Sequence, residues 1–277
     1  MMHQEYKLIT QDGLNLYAQA WLSEAPARAV VVIVHGIGEH SGRYAHVAQI
    51  FAKNGFHTYV YDQRGHGKSE GPRGHTPTYQ HLMDDLSLAI QQAHQITSKD
   101  LPIFLYGHSM GALEVLIYGL QEEKIKVKGT IATGTSLDLQ ETSKIKILLA
   151  RIMSPLIPKF TLANGLDVNA LSRDVQVVKA YVDDPLVHDR VSARLGMFFI
   201  SGAEQILKQA SAWHSPLLIM HGSEDHLSGI RGTELFVEKA SGGVTYKRWE
   251  HLYHEIHNEP EKAEVIQTMV DWINEQL

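Results

Sequence analysis

The segment 107–111, GHSMG, places a serine between two glycines, after one apolar run and before another. The preceding residues, LPIFLY, have the pattern of a buried strand, and the following ALEVLIYGL has that of a helix. On such a sharp strand-to-helix turn the serine hydroxyl is exposed, and glycines keep side chains from colliding with the neighbouring backbone. Because the five-residue pattern is common by chance, its weight comes from the flanking strand and helix. The sequence therefore predicts Ser109 as a nucleophile.

A serine hydroxyl is a weak nucleophile and needs a histidine base, which a carboxylate in turn orients. With a serine on such a turn, the acid and then the histidine follow later in the chain, each beyond a strand. Asp225 follows the apolar run PLLIMHG, and His254 follows VTYKRW. Asp138 is the alternative acid, and His251 and His257 are alternative bases. The residues alone favour Asp225 and His254 and leave these alternatives open.

Attack by a serine creates negative charge on the substrate oxygen, which needs N–H donors. The backbone N–H of Met110 is predicted to supply one, because it lies at a helix N-terminus directly after Ser109. The loop HGIG, after the apolar run AVVVIV, should reach the same edge of the sheet, and Ile37 is its candidate donor.

Two other patterns suggest ligand sites but lack a required residue. The end of the segment DQRGHGKS imitates a phosphate-binding loop, yet Asp62 stands where that loop needs glycine, so we expect a structural loop. The triply spaced His251, His254 and His257 occur without an HExxH pattern. The chain has no cysteine, which excludes disulfides and thiolate chemistry. We therefore predict no metal and no cofactor.

The elements that would position these residues alternate between strand and helix. Apolar runs such as AVVVIV and LPIFLY are typical of strands buried on both faces of a parallel sheet, with helical spacing between them. This predicts an α/β fold with a mostly parallel, doubly wound sheet and an N-terminal antiparallel hairpin around QDG. No convincing strand is visible between Ser136 and Trp213. We expect a helical cap inserted there, between the sixth and seventh strands, which gives the units 1–135, 136–213 and 214–277.

Composition limits the classes of binding partner and the cellular location that we expect. The 277 residues carry a net charge of −6 without a basic stripe, so we expect no nucleic-acid partner. The longest purely apolar run is AVVVIV, far shorter than the ~20 residues of a membrane-spanning helix. The N-terminus has no secretory pattern, so a cytoplasmic location is expected. The sequence leaves the oligomeric state open.

Six motifs, taken together, resemble the monoacylglycerol lipase and lysophospholipase branch of the α/β-hydrolases. They are HGIGEHSGRY, DQRGHGKSEGPRG, GHSMG, LSRD with VDDPLV, HGSEDHLSG and YHEIHNE, and they occur in that family's order over nearly the whole chain. The resemblance implies an α/β-hydrolase fold that cleaves the ester of a monoacyl lipid. The chain departs from the family at Ala112, where a third glycine often stands, and in the cap, so chain-length preference stays open.

The resemblance also implies roles for individual residues. Ser109, Asp225 and His254 would form the catalytic triad, and Ile37 and Met110 would supply the oxyanion hole. Around the glycerol end of the substrate, the resemblance implies Glu39, Arg43 and His257.

The first part of the cap, KIKILLARIMSPLIPKF, has an apolar face with helix-like spacing. We expect this face to line an acyl tunnel, to rest on a lipid surface as a peripheral membrane contact, or to pack on the sheet. Its members are Ile145, Leu148, Leu149, Ile152, Met153, Leu156 and Ile157.

Overall fold

The computed structural model describes residues 1–121, 125–138 and 144–277. The strands in these residues are β1 (Met2–Ile9), β2 (Asn15–Leu22), β3 (Ala29–Val34), β4 (Phe56–Tyr61), β5 (Ile103–His108), β6 (Gly129–Thr133), β7 (Thr161–Ala163), β8 (Arg190–Ser192), β9 (Leu217–Gly222) and β10 (Val244–Trp249). The α-helices are α1 (Ala45–Lys53), α2 (Tyr79–Ile96), α3 (Met110–Gly119), α4 (Lys144–Leu156), α5 (Val175–Asp183), α6 (Ala193–Gln209), α7 (Ile230–Lys239) and α8 (Lys262–Gln276). Short 3₁₀ helices cover Ser41–Tyr44, Val168–Ala170, Ala210–Ala212 and Ile256–Asn258.

Eight strands form one sheet in the spatial order β1-β2-β4-β3-β5-β6-β9-β10. The strands from β4 to β10 in this order pair in parallel, whereas β2 is antiparallel to both β1 and β4. A tight turn joins β1 and β2, in which the Thr10 N–H donates to the Leu14 carbonyl over 2.9 Å and Gly13 has a φ of +85°. The predicted parallel sheet and N-terminal hairpin are confirmed.

Helices cover the sheet on both faces, which explains why its central strands lack alternation. All six residues of β3 are fully buried. One hydrophobic layer is formed with α2, α3, α6 and α7, and the other with α1 and α8. Among the described helices, none is both long enough and apolar enough to cross a bilayer.

The chain leaves the sheet after β6 and returns to it in β9, and the elements between them are α4, β7, α5, β8 and α6. The predicted insertion between the sixth and seventh strands of the sheet is thus confirmed. Within it, β7 and β8 pair antiparallel, which the sequence did not reveal because each is only three residues long. The cap boundaries at 136 and 213 stay a prediction, and its residues 139–143 lie outside the described ones.

Residues 188–192 of the cap are hydrogen-bonded to two loops that follow strands of the sheet. The backbone N–H of His188 donates to the Gly38 carbonyl over 2.9 Å, and that of Ser192 donates to the Gly74 carbonyl over 2.8 Å. The Ser192 hydroxyl also contacts His75 Nδ1 at 2.9 Å. The segment around β8 is therefore bonded to the loop after β3 and to the loop after β4.

The loop after β4, expected to be structural, is anchored by a buried ion pair. Arg64 donates from Nε to Asp85 Oδ2 over 2.6 Å and from Nη2 to Asp85 Oδ1 over 2.9 Å. Both residues are 3% exposed, so each charge depends on the other. Arg64 also contacts Asp12 at 3.0 and 3.2 Å, but the Asp12 side chain is 35% exposed.

Replacing Arg64 with Met is expected to lower the free energy of unfolding by about 3–5 kcal/mol, because Asp85 is left buried without its partner. The matched variant Asp12→Asn removes the outer, half-exposed partner and should cost less than about 1 kcal/mol. Urea unfolding at neutral pH measures both values. Equal losses in the two variants would contradict the buried pair as the anchor of this loop.

Candidate active site

Ser109 forms the turn between β5 and α3, with φ +54° and ψ −112°. This left-handed conformation is costly for a residue with a β-carbon, and the Ser109 N–H donates to the Thr133 carbonyl over 3.0 Å. A β-carbon on Gly107 would lie 2.3 Å from the Gly111 carbonyl oxygen, and one on Gly111 would lie 2.0 Å from that of Val34. Lack of space therefore explains both glycines of the motif.

His254 lies in the loop after β10 and contacts Asp225, in the loop after β9. Its Nδ1 donates to Asp225 Oδ2 over 2.8 Å, and both side chains are buried. The other oxygen of Asp225 accepts from the backbone N–H groups of Leu227 and Ser228, both at 2.9 Å. Because Nδ1 carries the hydrogen, Nε2 of a neutral imidazole has the lone pair that a base requires.

Electrostatics divides the proton-binding roles between these two residues. Burial alone lowers the pKa of His254, but the charge and hydrogen bond of Asp225, together with the charges on Glu255 and Glu39, outweigh burial and hold that pKa above its usual value. Burial raises the pKa of Asp225, but the charge on His254 and hydrogen bonds from His221 and His254 hold it well below its usual range. Asp225 therefore stays ionised, while His254 gains affinity for a proton.

The predicted oxyanion donors lie beside Ser109. Met110 is the first residue of α3, so its backbone N–H lies at the helix N-terminus. Ile37 belongs to the loop after β3, which passes directly by the turn, since a β-carbon on Gly36 would lie 3.3 Å from that of Ser109. The Gly36 N–H donates to Glu39 Oε1 over 2.6 Å and so orders this loop.

Two cavities share Ser109, His254 and Ile37 on their walls. The larger has a volume of about 510 Å³, and cap residues supply most of its apolar wall: Leu149, Met153, Phe160, Leu162, Phe199 and Ile200. The smaller, about 20 Å³, is bordered by the carboxylates Glu39 and Glu255 and by Tyr181 from α5. Ser109 thus borders an apolar space and a polar one.

The polar cavity is backed by a buried cluster of one guanidinium and two carboxylates. Arg43 Nη1 donates to Glu39 over 2.6 Å and to Glu255 over 2.7 Å, and its Nη2 makes a second 2.7 Å bond to Glu255. The guanidinium carbon lies 4.7 Å from the centre of the Tyr181 ring. Burial raises the pKa of Glu39, but the charges on Arg43, His108 and His35 and the hydrogen bond from the backbone of Gly36 together outweigh burial and lower the pKa to about 2. Glu39 therefore stays ionised beside the Arg43 guanidinium.

His257 lies in the core and lines neither of these two cavities. Its ring stacks on Tyr44 at 5.0 Å and meets the edge of His108 at 4.7 Å. Neither ring nitrogen has a hydrogen-bond partner within the described structure, and burial holds the pKa of His257 well below its usual value. Of the three residues implied at the glycerol end, Glu39 reaches the polar cavity, Arg43 pairs with it, and His257 lies apart from both cavities.

The alternative acid and base occupy other environments. Asp138 lies on the wall of the large cavity, whereas the hydrogen bond from His254 goes to Asp225. His251 is exposed and pairs with Glu224 at 3.0 Å. Across residues 1–121, 125–138 and 144–277, no group of three or more histidine, aspartate or glutamate side chains is arranged to hold a metal ion.

Three residues near the site were not found from the sequence. Glu255 directly follows His254, and a carboxylate beside the predicted base could have drawn attention to it. Tyr181 reaches the site from a cap helix, and His221 contacts Asp225 from within a strand. Neither of these two carries a local sequence signal, because both contacts depend on the fold.

Comparisons with known proteins identify the family to which this chain belongs. Residues 25–261 match the model of a family described as serine aminopeptidase, S33. The monoacylglycerol lipase of Mycolicibacterium smegmatis is 33% identical over 276 residues, covering 99% of this chain and 98% of that protein. This chain belongs to the S33 family of α/β-hydrolases, in its monoacylglycerol lipase-like branch. The resemblance found in the sequence is confirmed.

The α/β-hydrolase fold of this S33 family member is shared over its full length with a solved structure. The crystal structure of the monoacylglycerol lipase of Paleococcus ferrophilus has a TM-score of 0.84 and 32% identity, and 100% of both chains is covered. An uncharacterized abhydrolase domain-containing protein of Dictyostelium discoideum is 34% identical over 98% of this chain, which spans only 29% of that longer protein.

Replacing Asp225 with Asn is expected to lower kcat for ester hydrolysis by up to about 10,000-fold, because an amide does not hold the required tautomer of His254. The matched variant Asp138→Asn changes the other strand end and should retain most of the activity. Release of nitrophenol from a short-chain nitrophenyl ester measures both. If Asp138→Asn is the crippled variant, the acid lies on the earlier strand.

Proposed function

We propose that this chain hydrolyses monoacylglycerols to a fatty acid and glycerol, with Ser109 as nucleophile, His254 as base and Asp225 as the residue that orients it. The observation that carries the proposal is the pair of cavities that meet at Ser109, one apolar and one bordered by carboxylates. A monoacylglycerol has the same two parts, a long apolar chain and a small alcohol with two free hydroxyls. The similarity to the monoacylglycerol lipase of Mycolicibacterium smegmatis supports this choice of substrate.

In the first step, the Ser109 hydroxyl oxygen attacks the ester carbonyl carbon, and its proton passes to Nε2 of His254. The carbonyl oxygen becomes an oxyanion, to which the backbone N–H groups of Ile37 and Met110 donate. Collapse of this intermediate breaks the bond to the glycerol oxygen, and His254 gives that oxygen the proton. Glycerol leaves, and the acyl group stays on Ser109.

In the second step, a water oxygen attacks the acyl carbonyl carbon while His254 takes a proton from the water. The bond to Ser109 breaks, the proton returns to the serine oxygen, and the fatty acid is released. Asp225 remains a carboxylate throughout and stabilises the imidazolium each time it forms. This reaction requires only these side chains, the backbone donors and water.

The large cavity supports binding of the acyl chain. Its volume of about 510 Å³ lies within the range of about 300–1,000 Å³ typical of small-molecule sites. Its walls are predominantly apolar, and Leu149 and Met153 from the predicted cap face contribute to them. An alkyl chain that leaves water for this space gains hydrophobic free energy along its length.

The polar cavity, at about 20 Å³, has room for about one water-sized group, so it supports binding of one hydroxyl of the alcohol. Glu39 and Glu255 border it, and carboxylate oxygens accept hydrogen bonds from hydroxyl groups. Arg43 holds both carboxylates in place by three hydrogen bonds, so their positions are set before the substrate binds. A glycerol hydroxyl that donates to Glu255 would direct the ester toward Ser109.

Much of the predicted apolar face of the cap lies outside the cavity and in solvent. Exposed members of this face include Ile145, Leu148, Ile152, Leu156 and Ile157, with exposures from 47% to 74%. The side chains of Phe160 and Leu162 are also exposed. The basic residues Arg151 and Lys159, in the same part of the chain, are exposed as well. Large exposed apolar patches mark interaction surfaces. We propose peripheral contact of this face with a lipid surface, while a cytoplasmic location stays a prediction.

The purified chain is expected to hydrolyse monoacylglycerols with a higher kcat/KM than diacylglycerols, lysophospholipids, nitrophenyl esters or aminoacyl nitroanilides. Release of fatty acid or of the chromophore gives the rate for each substrate. Ser109→Ala should abolish turnover of all of them, apart from a residual rate about 10³-fold or more below the native one.

The alternatives are distinguished by the same panel. Preference for lysophospholipids would move the natural substrate to phosphate-bearing lipids, and preference for nitroanilides would favour a peptidase. Full activity of Ser109→Ala would refute the proposed nucleophile.

The double variant Leu148→Ser, Leu156→Ser is expected to bind lipid vesicles at least tenfold more weakly than the native chain, because it removes apolar side chains from the patch. Flotation with phosphatidylcholine vesicles measures binding. The matched control Val175→Ser, Val182→Ser changes two residues on α5 that are 71% and 60% exposed, and it should bind like the native chain. Absence of native binding, or equal losses in both variants, would contradict the assignment of this face.

A further inference from the structure

A second histidine contacts the carboxylate that orients His254. His221 lies in β9 and is fully buried, and its Nε2 is 3.0 Å from Oδ2 of Asp225. The same oxygen accepts the hydrogen bond from His254 Nδ1 at 2.8 Å. Two imidazoles therefore meet one carboxylate oxygen, and the reaction proposed above uses only one of them.

The neighbours of His221 determine which of its nitrogens carries the hydrogen. Nε2 lies 2.6 Å from the Ser228 carbonyl as well as 3.0 Å from Asp225, and both of these groups only accept. Nε2 is therefore an N–H donor. Nδ1 lies 2.7 Å from the hydroxyl of Thr233, which itself lies 2.5 Å from the hydroxyl of Thr135. A neutral imidazole with its hydrogen on Nε2 donates to the nearer Ser228 carbonyl, has Asp225 Oδ2 as a second, longer contact, and accepts at Nδ1 from Thr233.

We propose that His221 is a positioning residue that fixes the Asp225 carboxylate for its contact with His254, an inference that rests on the proposed function. Asp225 Oδ1 accepts from the N–H groups of Leu227 and Ser228, while Oδ2 accepts from His254 and lies 3.0 Å from His221 Nε2. Without His221, His254 is the remaining donor to Oδ2 among these four groups, and His254 gains and loses a proton during the proposed reaction. With His221, the carboxylate plane stays fixed while His254 gains and loses a proton.

The second donor also sets the charge that His254 experiences. The N–H of His221 lies within reach of both the Ser228 carbonyl and the oxygen that pairs with His254, so its partial positive charge offsets part of the carboxylate's negative potential. Removing this N–H should strengthen the pull of Asp225 on the imidazolium and raise the pKa of His254. Because catalysis needs neutral His254, the rise of kcat/KM with pH should then occur at higher pH.

Substitution at His221 leaves unchanged the other groups that act on His254. Besides Asp225 itself, the titratable groups that act on His254 are Glu39, Glu255, His108 and His257. A shift of the pH profile in a His221 variant therefore reports the lost donor.

The test compares His221→Leu, His221→Asn and His221→Gln. Leucine lacks a donor, and the amide of asparagine reaches only the position of Nδ1, next to Thr233. The amide of glutamine reaches the position of Nε2 and restores a donor to Asp225. For a soluble nitrophenyl ester, Leu and Asn should lower kcat about tenfold with little change in KM. Gln should recover most of that loss.

The acid limb of kcat/KM should move to higher pH by about half a unit in His221→Leu and much less in His221→Gln. Thermal unfolding of each variant checks that the fold is retained. If His221→Leu does not fold, the comparison of Gln with Asn still decides, because both are polar amides and only Gln reaches Asp225. Equal kcat values and equal pH profiles for Gln and Asn would overturn the proposal.

These experiments distinguish a failure of the inference about His221 from a failure of the proposed function. If the native chain hydrolyses esters and Ser109→Ala does not, while His221→Leu matches the native chain, only the inference about His221 is wrong. If the native chain hydrolyses none of the esters, the proposed function itself is wrong.

Discussion

The site depends on a backbone contact between the start of α3 and the end of β3. At Gly111 the two segments are so close that a β-carbon would lie 2.0 Å from the Val34 carbonyl oxygen. This contact brings the loop that follows β3 beside Ser109. The proposed nucleophile and both proposed oxyanion donors are therefore positioned by one close approach of main chain, and glycine is the residue that permits it.

Around this contact, charge is compensated in pairs and clusters. Asp225 is buried with three N–H donors and a contact to His221, and Arg43 is buried between Glu39 and Glu255. Burying a charge is costly unless hydrogen bonds replace its water shell. These groups are thus ordered before a substrate arrives, so little reorganisation is needed when charge develops on it.

The sequence predicted the features that depend on residues close together in the chain. The turn at Ser109 follows from two glycines between a strand and a helix, and Asp225 and His254 follow from their places after later strands. The pair β7 and β8 was missed, since three residues carry no periodicity. The contacts of Tyr181 and His221 join residues far apart in the chain, so only the folded structure reveals them.

The hydrogen bond from the His188 N–H to the Gly38 carbonyl joins the cap to the residue next to Ile37. A second bond, from Ser192 to Gly74, joins β8 to the loop after β4. These two hydrogen bonds consequently hold the cap and the loops after β3 and β4 together. In a chimera that exchanges caps between relatives, these two loops should be exchanged as well, because a foreign cap would otherwise leave the loop that contains Ile37 without the hydrogen bond from His188.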